Sequence, residues 1–184
     1  MTTRLVRSVF FFTLFLASPH PARGTVVVPA DLGDLSRDAR AIVRGRVMAL
    51  DARWTEDRRT IETIVTLEVE GYLKGALGQT LQFRVPGGEL GRFRSITVGA
   101  PEFGIAERII VFLGASGPSI PYVLGLNQGV FRLARTADGW VVTPPPVLPS
   151  AAGSVRVVRG DASRRTLALA AFEQRVRALA AGQR

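Results

Sequence analysis

Between residues 60 and 74 the chain alternates with a period of two, and no other feature restricts its fold as tightly. Ile61, Thr63, Val65, Leu67, Val69, Gly71 and Leu73 fall on one side; Thr60, Glu62, Thr66, Glu68 and Glu70 fall on the other. Successive side chains of an extended strand point to opposite faces, so the segment reads as a half-buried β-strand with one face in a core and one in water. Residues 42–54 alternate more loosely, with Arg44 and Arg46 among the apolar positions, and the polar run Thr55-Glu56-Asp57-Arg58-Arg59 separates the two. A β-hairpin is the expected pairing.

Shorter strands are expected at 80–85, 94–98, 108–113, 122–126, 129–134 and 140–142. Turns fall between them at Pro86-Gly87-Gly88, Gly99-Ala100-Pro101, residues 114–118 and Ala137-Asp138-Gly139. Arg108-Ile109-Ile110-Val111-Phe112-Leu113 is apolar at consecutive positions, which requires both of its faces to be covered. Many short strands with such turns predict a mainly β fold, a small antiparallel barrel or sandwich, of which an oligonucleotide/oligosaccharide-binding type of barrel is one form.

Two helices flank it. Residues 29–41 read as a short N-terminal helix with Leu32 and Leu35 on one side. Residues 162–181 read as a C-terminal amphipathic helix whose stripe is Leu169, Phe172, Val176 and Leu179. Asp161 or Ser163 can cap its start and Gly182 its end, and its stripe is expected to pack on the barrel. The predicted organisation is a signal peptide at 1–24, a β-domain at 25–143, a proline-rich linker at 144–153, and a strand-like piece (154–158) with the helix at 154–184. Proline donates no amide hydrogen, so Pro144-Pro145-Pro146 cannot join a sheet ladder and reads as a stiff extended connection.

The signal is read from Arg4 and Arg7, an apolar run from Val9 to Ala17, and the breaker-rich Ser18-Pro19-His20-Pro21 before Ala22-Arg23-Gly24. The apolar run is about half of the roughly 20 residues needed to span a bilayer, which argues for cleavage over a retained membrane anchor. Export to the periplasm or the exterior is therefore the expected destination. The chain has no cysteine, so no disulfide framework is available and the core alone must hold the fold. Loss of Arg4, Arg7 and Arg23 with the signal would leave +6 of the formal +9 charge, nearly all of it arginine, because Lys74 is the one lysine. A basic balance leans toward acidic partners by non-specific attraction.

The catalytic inventory is thin. The one histidine, His20, lies in the predicted signal, which removes histidine-based nucleophile systems and the usual zinc sites from the remaining chain. No metal or cofactor is expected. Lys74 has Gly71 three residues before it, not a serine, and reads as a solvated turn lysine. Glu68 and Glu70 share one face of a strand and in principle could flank a glycosidic bond. Same-face acids on a wet strand are more often matched by cations across the sheet, here from Arg44, Arg46 or Arg84. Phe83-Arg84 and Arg92-Phe93-Arg94 set guanidinium groups beside rings, as single-strand nucleic-acid grooves do. Phe83 shares its side with Leu81 and Val85, which reads as core with Arg84 pointing to water, and export argues against nucleic acid. Arg84, Arg92, Phe93 and Arg94 are retained as candidate binding residues.

The succession Ile61-Glu62-Thr63-Ile64-Val65-Thr66-Leu67-Glu68-Val69-Glu70 with Leu73-Lys74-Gly75, then Val85-Pro86-Gly87-Gly88, Gly99-Ala100-Pro101-Glu102-Phe103, and Ile110-Val111-Phe112-Leu113 resembles a family of exported bacterial β-domain proteins of uncharacterised function. The resemblance spans about residues 38–131. It implies a compact secreted β-domain and brings no activity and no catalytic residues. Together these features lead to an expected non-catalytic binding or interaction module for another protein or an envelope component. A carboxylate-based hydrolase and an arginine-led polyanion binder are the alternatives.

Overall fold

The computed structural model describes residues 30–117, 119–145 and 165–182. Strands β1 (Ala41–Trp54) and β2 (Ile61–Lys74) form the expected long hairpin. In its turn the Thr55 hydroxyl and the Arg59 N–H donate to the Asp57 carboxylate, which holds that carboxyl below its usual pKa. β3 (Thr80–Pro86) pairs with β2. After a small separate hairpin of β4 (Gly88–Leu90) and β5 (Phe93–Ser95) come β6 (Arg108–Gly114) and β7 (Tyr122–Val123).

The sheet order β1-β2-β3-β7-β6 returns to its start because β6 also pairs with β1, from Ala41↔Leu113 to Arg46↔Arg108. The result is a closed five-stranded barrel. β8 (Val130–Thr136), β9 (Gly139–Thr143) and β10 (Leu167–Ala168) extend the sheet outward from β6.

Closure needs a bent β1, and the bend has a local cause. The β1–β2 register shifts at Ile42/Val43, Arg44/Gly45 and Val47/Ala49, and each unpaired residue kinks and twists its strand. β1 can then pair with β2 along its whole length while its first half also meets β6.

β6 carries the division of the core. Ile109, Val111 and Leu113 point into the barrel with Val43, Val65, Leu67 and Phe83. Ile110 and Phe112 point outward into a second cluster under the helices α1 (Leu32–Asp38) and α2 (Leu169–Ala180). The run of consecutive apolar residues is thus buried on both faces, as its pattern requires. Phe172 and Val176 of α2 are buried against this outer face, so the helix docks on its own barrel.

Several expectations are corrected. The alternation in β2 does not hold to its end: the register shifts turn Leu73 to the outer cluster, while Tyr72 packs against the interior one. The strand expected at 94–98 stops at Ser95. The one expected at 122–126 stops at Val123 and gives way to a 3-10 turn at Leu126–Gly129. The barrel is not wholly antiparallel, since β3 and β7 meet in parallel at Arg84↔Tyr122. α1 is shorter than 29–41. α2 starts at Leu169, not near 162, because Leu167 and Ala168 are drawn into a ladder with Val142 and Val141. Its N-cap is therefore Ala168, not Asp161 or Ser163, whereas Gly182 does follow its end with φ +78°. The predicted signal at 1–24, the linker beyond Pro145 and the strand-like piece at 154–158 lie outside the described residues.

Lys74 is not simply solvated. Its Nζ donates to the carbonyls of Ser36 (3.0 Å) and Arg37 (2.8 Å) at the end of α1, where helix carbonyls lack intrahelical partners and favour a cation. Lys74→Met is expected to lower unfolding free energy by about 1 kcal/mol in urea titration. An unchanged midpoint would mean that the contact contributes nothing to docking α1.

Candidate functional site

One end of the barrel carries a cleft of about 520 Å³. Its walls follow from strand geometry: β1 and β2 run past the stretch where β1 meets β6, and at this end Ala52 and Thr63 face the β4–β5 hairpin, with Leu50 beside them. Val85 and Pro86 close β3 beside them. The β4–β5 hairpin and the loop at 96–103 complete the wall with Glu89, Arg94, Ile96 and Phe103. Gly87 and Gly88 permit the hairpin to fold tightly over β2. Both have positive φ, the Thr63 hydroxyl donates to the Gly87 carbonyl at 2.8 Å, and a Cβ on Gly88 would stand 2.5 Å from that hydroxyl.

The strand and hairpin that wall the cleft also carry an aromatic pair. Phe93 and Trp54 meet edge to face with centroids 5.4 Å apart, and the Arg92 guanidinium lies 5.1 Å from the Phe93 centroid. Both rings are partly open to solvent, and Ile96 and Val98 are 75% and 60% exposed just beyond them in sequence. Apolar side chains exposed at this level in one neighbourhood mark a surface that gains by being covered.

The four candidate residues are not all together. Arg92, Phe93 and Arg94 share the β4–β5 hairpin, where Arg94 pairs with Glu89 opposite it at 3.1 Å. Arg84 stands apart on β3. It is only partly exposed and lines a different hollow with Glu62, Thr97 and Tyr122. Phe83 is fully buried, as its alternation with Leu81 and Val85 implies. Sequence reasoning missed Trp54, Ile96 and Val98. Trp54 reads as the last residue of a strand, and the other two read as a strand that the structure ends at Ser95. No local signal set them apart, since Ile96 and Val98 are two residues apart and match the period of a strand.

The paired carboxylates are matched by arginines. Glu68 accepts two hydrogen bonds from Arg46, and Glu70 accepts one from Arg108 at 2.7 Å with Arg44 at 3.6 Å. Arg108 is the partner that strand spacing could not reveal, since it comes from β6 across the barrel closure; Arg84 takes no part. Nearer the cleft, Glu62 is held by Arg53 at 2.8 Å. Among the described residues no group of three or more His, Cys, Asp or Glu is placed to hold a metal ion, and no helix is long and apolar enough to cross a membrane.

Comparison with protein-family models, curated proteins and solved structures returns no match. What stands of the resemblance to exported bacterial β-domain proteins is the compact β-domain that it implied, here a closed barrel.

Proposed function

We propose that the protein is an exported, non-catalytic interaction module that binds another protein or an envelope component at the cleft end of its barrel. The observation that carries this reading is a formed cleft with exposed Ile96 in its wall, and the exposed Trp54–Phe93 pair carried by the same strand and hairpin that build that wall. Binding sites are concave, mostly apolar and few per protein. The strand circuit with its single parallel contact between β3 and β7 supports a likeness to oligonucleotide/oligosaccharide-binding barrels, which receive ligands on the face of the second and third strands and the adjoining loops. The cleft is built at the ends of β2 and β3. That likeness concerns fold and carries no activity of its own. Export rests on the N-terminal pattern of Arg4, Arg7 and the apolar run.

The arginine pairing of Glu68 and Glu70 weighs against a carboxylate-based hydrolase, because both carboxylates are held in ion pairs across the sheet and neither lines the cleft. Arg44, Arg46, Arg53, Arg94, Arg108 and Arg132 are each engaged by a glutamate. That pairing leaves less free basic surface than the formal charge suggests.

The test is capture from native envelope and secreted fractions by residues 25–184, washed at low and then high salt, alongside a Phe93→Ala variant. One polypeptide held at high salt by the unaltered chain, and reduced at least about tenfold by Phe93→Ala, is the expected result. Polyanions held only at low salt would replace this reading with arginine-led adhesion. Retention indifferent to Phe93→Ala would move the site away from the cleft.

A further inference from the structure

Beside the N-terminus of α2 lies a second hollow of about 390 Å³ that shares no lining residue with the cleft. Arg44, Arg108 and Arg135 face it together with one carboxylate, Glu70. Glu70 is already committed to Arg108 Nε at 2.7 Å. Arg44 spends its Nη1 on Glu173 at 2.5 Å, and its Nε–H is buried without a hydrogen-bond acceptor, the Glu70 oxygen being 3.6 Å away. Glu70 is therefore shared between two guanidinium groups that line the hollow and satisfies that of Arg44 only at long range.

Arg135 forms no ion pair with a described residue; its guanidinium instead rests 5.9 Å from the Trp140 centroid, with that of Arg108 at 4.9 Å from the same ring. Two cations beside one indole, with Glu70 as the one carboxylate lining the hollow, leave the lining with more positive than negative side chains. The helix adds to the field, because α2 begins at Leu169 on the wall of the hollow with neither a side-chain cap nor an acidic residue in its first turn.

The remaining wall decides the class of anion. Leu133, Leu169 and the edge of Trp140 are apolar, and they offer an organic body a surface that a bare inorganic ion cannot use. We propose that this hollow binds an organic carboxylate, with its carboxylate among Arg44, Arg108 and Arg135 and its apolar body against Leu133 and Leu169. Planar guanidinium groups match a carboxylate with paired, charge-assisted hydrogen bonds.

Trp140 is one of two tryptophans, so a Trp54→Phe variant of the chain isolates its emission as a reporter. At constant ionic strength, cyclohexanecarboxylate is expected to change that emission saturably and to bind about tenfold more tightly than acetate, by virtue of the added apolar contact. Arg135→Gln, at an exposed position that leaves the fold intact, should weaken it about tenfold. Arg92→Gln, at the other site, should leave it unchanged. The uncharged cyclohexanecarboxamide should not bind. No saturable response, an equal response to the amide, or inorganic phosphate binding as tightly as cyclohexanecarboxylate would each overturn the proposal. None of these outcomes bears on the cleft.

Discussion

Phe112→Ala is expected to lower the unfolding free energy by about 3–5 kcal/mol, measured by urea denaturation. Phe112 is fully buried on the outward face of β6, and its ring starts a chain of aromatic contacts: 5.5 Å to Phe131, and 4.8 Å from there to Phe172 on α2. Removing the first ring leaves a void between sheet and helix that neither can fill, since β6 is fixed by β1 on one edge and by β7 and β8 on the other. The loss is expected with a local signature as well. Amide exchange in α2 should rise more than exchange in the β1–β2 hairpin, because the helix has Phe172 and Val176 as its buried anchors. Phe93→Ala, at a half-exposed position on the β4–β5 hairpin, is the control and should fall within about 0.5 kcal/mol of the unaltered chain. A cost below about 1 kcal/mol for Phe112→Ala would mean that the helical layer does not belong to the cooperative core.

The same residue shows what a sequence of this kind makes legible. Five consecutive apolar positions from Ile109 to Leu113 left no wet face, so a layer on each side was required, and the apolar sides of the two helices, Leu32 and Leu35 of α1 and the stripe of α2, were the surfaces able to supply the outer one. The mainly β fold followed from turn spacing, and the long hairpin from the alternation of residues 60–74. The barrel closure was not legible. It depends on β1 meeting β6 from Ala41 to Arg46, a pairing between segments more than sixty residues apart, and on register shifts that no local pattern announces.

The candidate site was legible in part for the same reason. Arg92, Phe93 and Arg94 stood out as a local cluster and do share one hairpin. Trp54 joins Phe93 only because the β1 end and the β5 start are brought to the same barrel mouth. Arg84, next to Phe83 in sequence, is turned to a different hollow by the alternation of its own strand.

Gly45→Ala tests the bend in β1 on which the closure depends. Alanine in place of a strand glycine ordinarily gains about 0.4–1 kcal/mol by restricting the unfolded chain. At Gly71, in β2 opposite Arg44, a Cβ would meet nothing nearer than the Arg44 guanidinium at 3.7 Å, so Gly71→Ala should show that gain. Gly45 is different: it sits at a register shift where β1 is paired on both edges, to Val69 and to Ile109. A Cβ there would stand 2.8 Å from Leu67 Cγ and inside contact distance of the Glu68 carbonyl oxygen. Leu67 is fully buried in the barrel and the carbonyl belongs to backbone, so neither can yield without moving a strand. Overpacking of this kind costs about 1–3 kcal/mol, which exceeds the entropic gain. The expected result is net destabilisation by Gly45→Ala and a small stabilisation by Gly71→Ala, both read from urea midpoints with an unchanged slope. If both substitutions stabilised the protein, Gly45 would not stand tight against Leu67 and Glu68 of β2, and the register shift that bends β1 at this point would have to be redrawn.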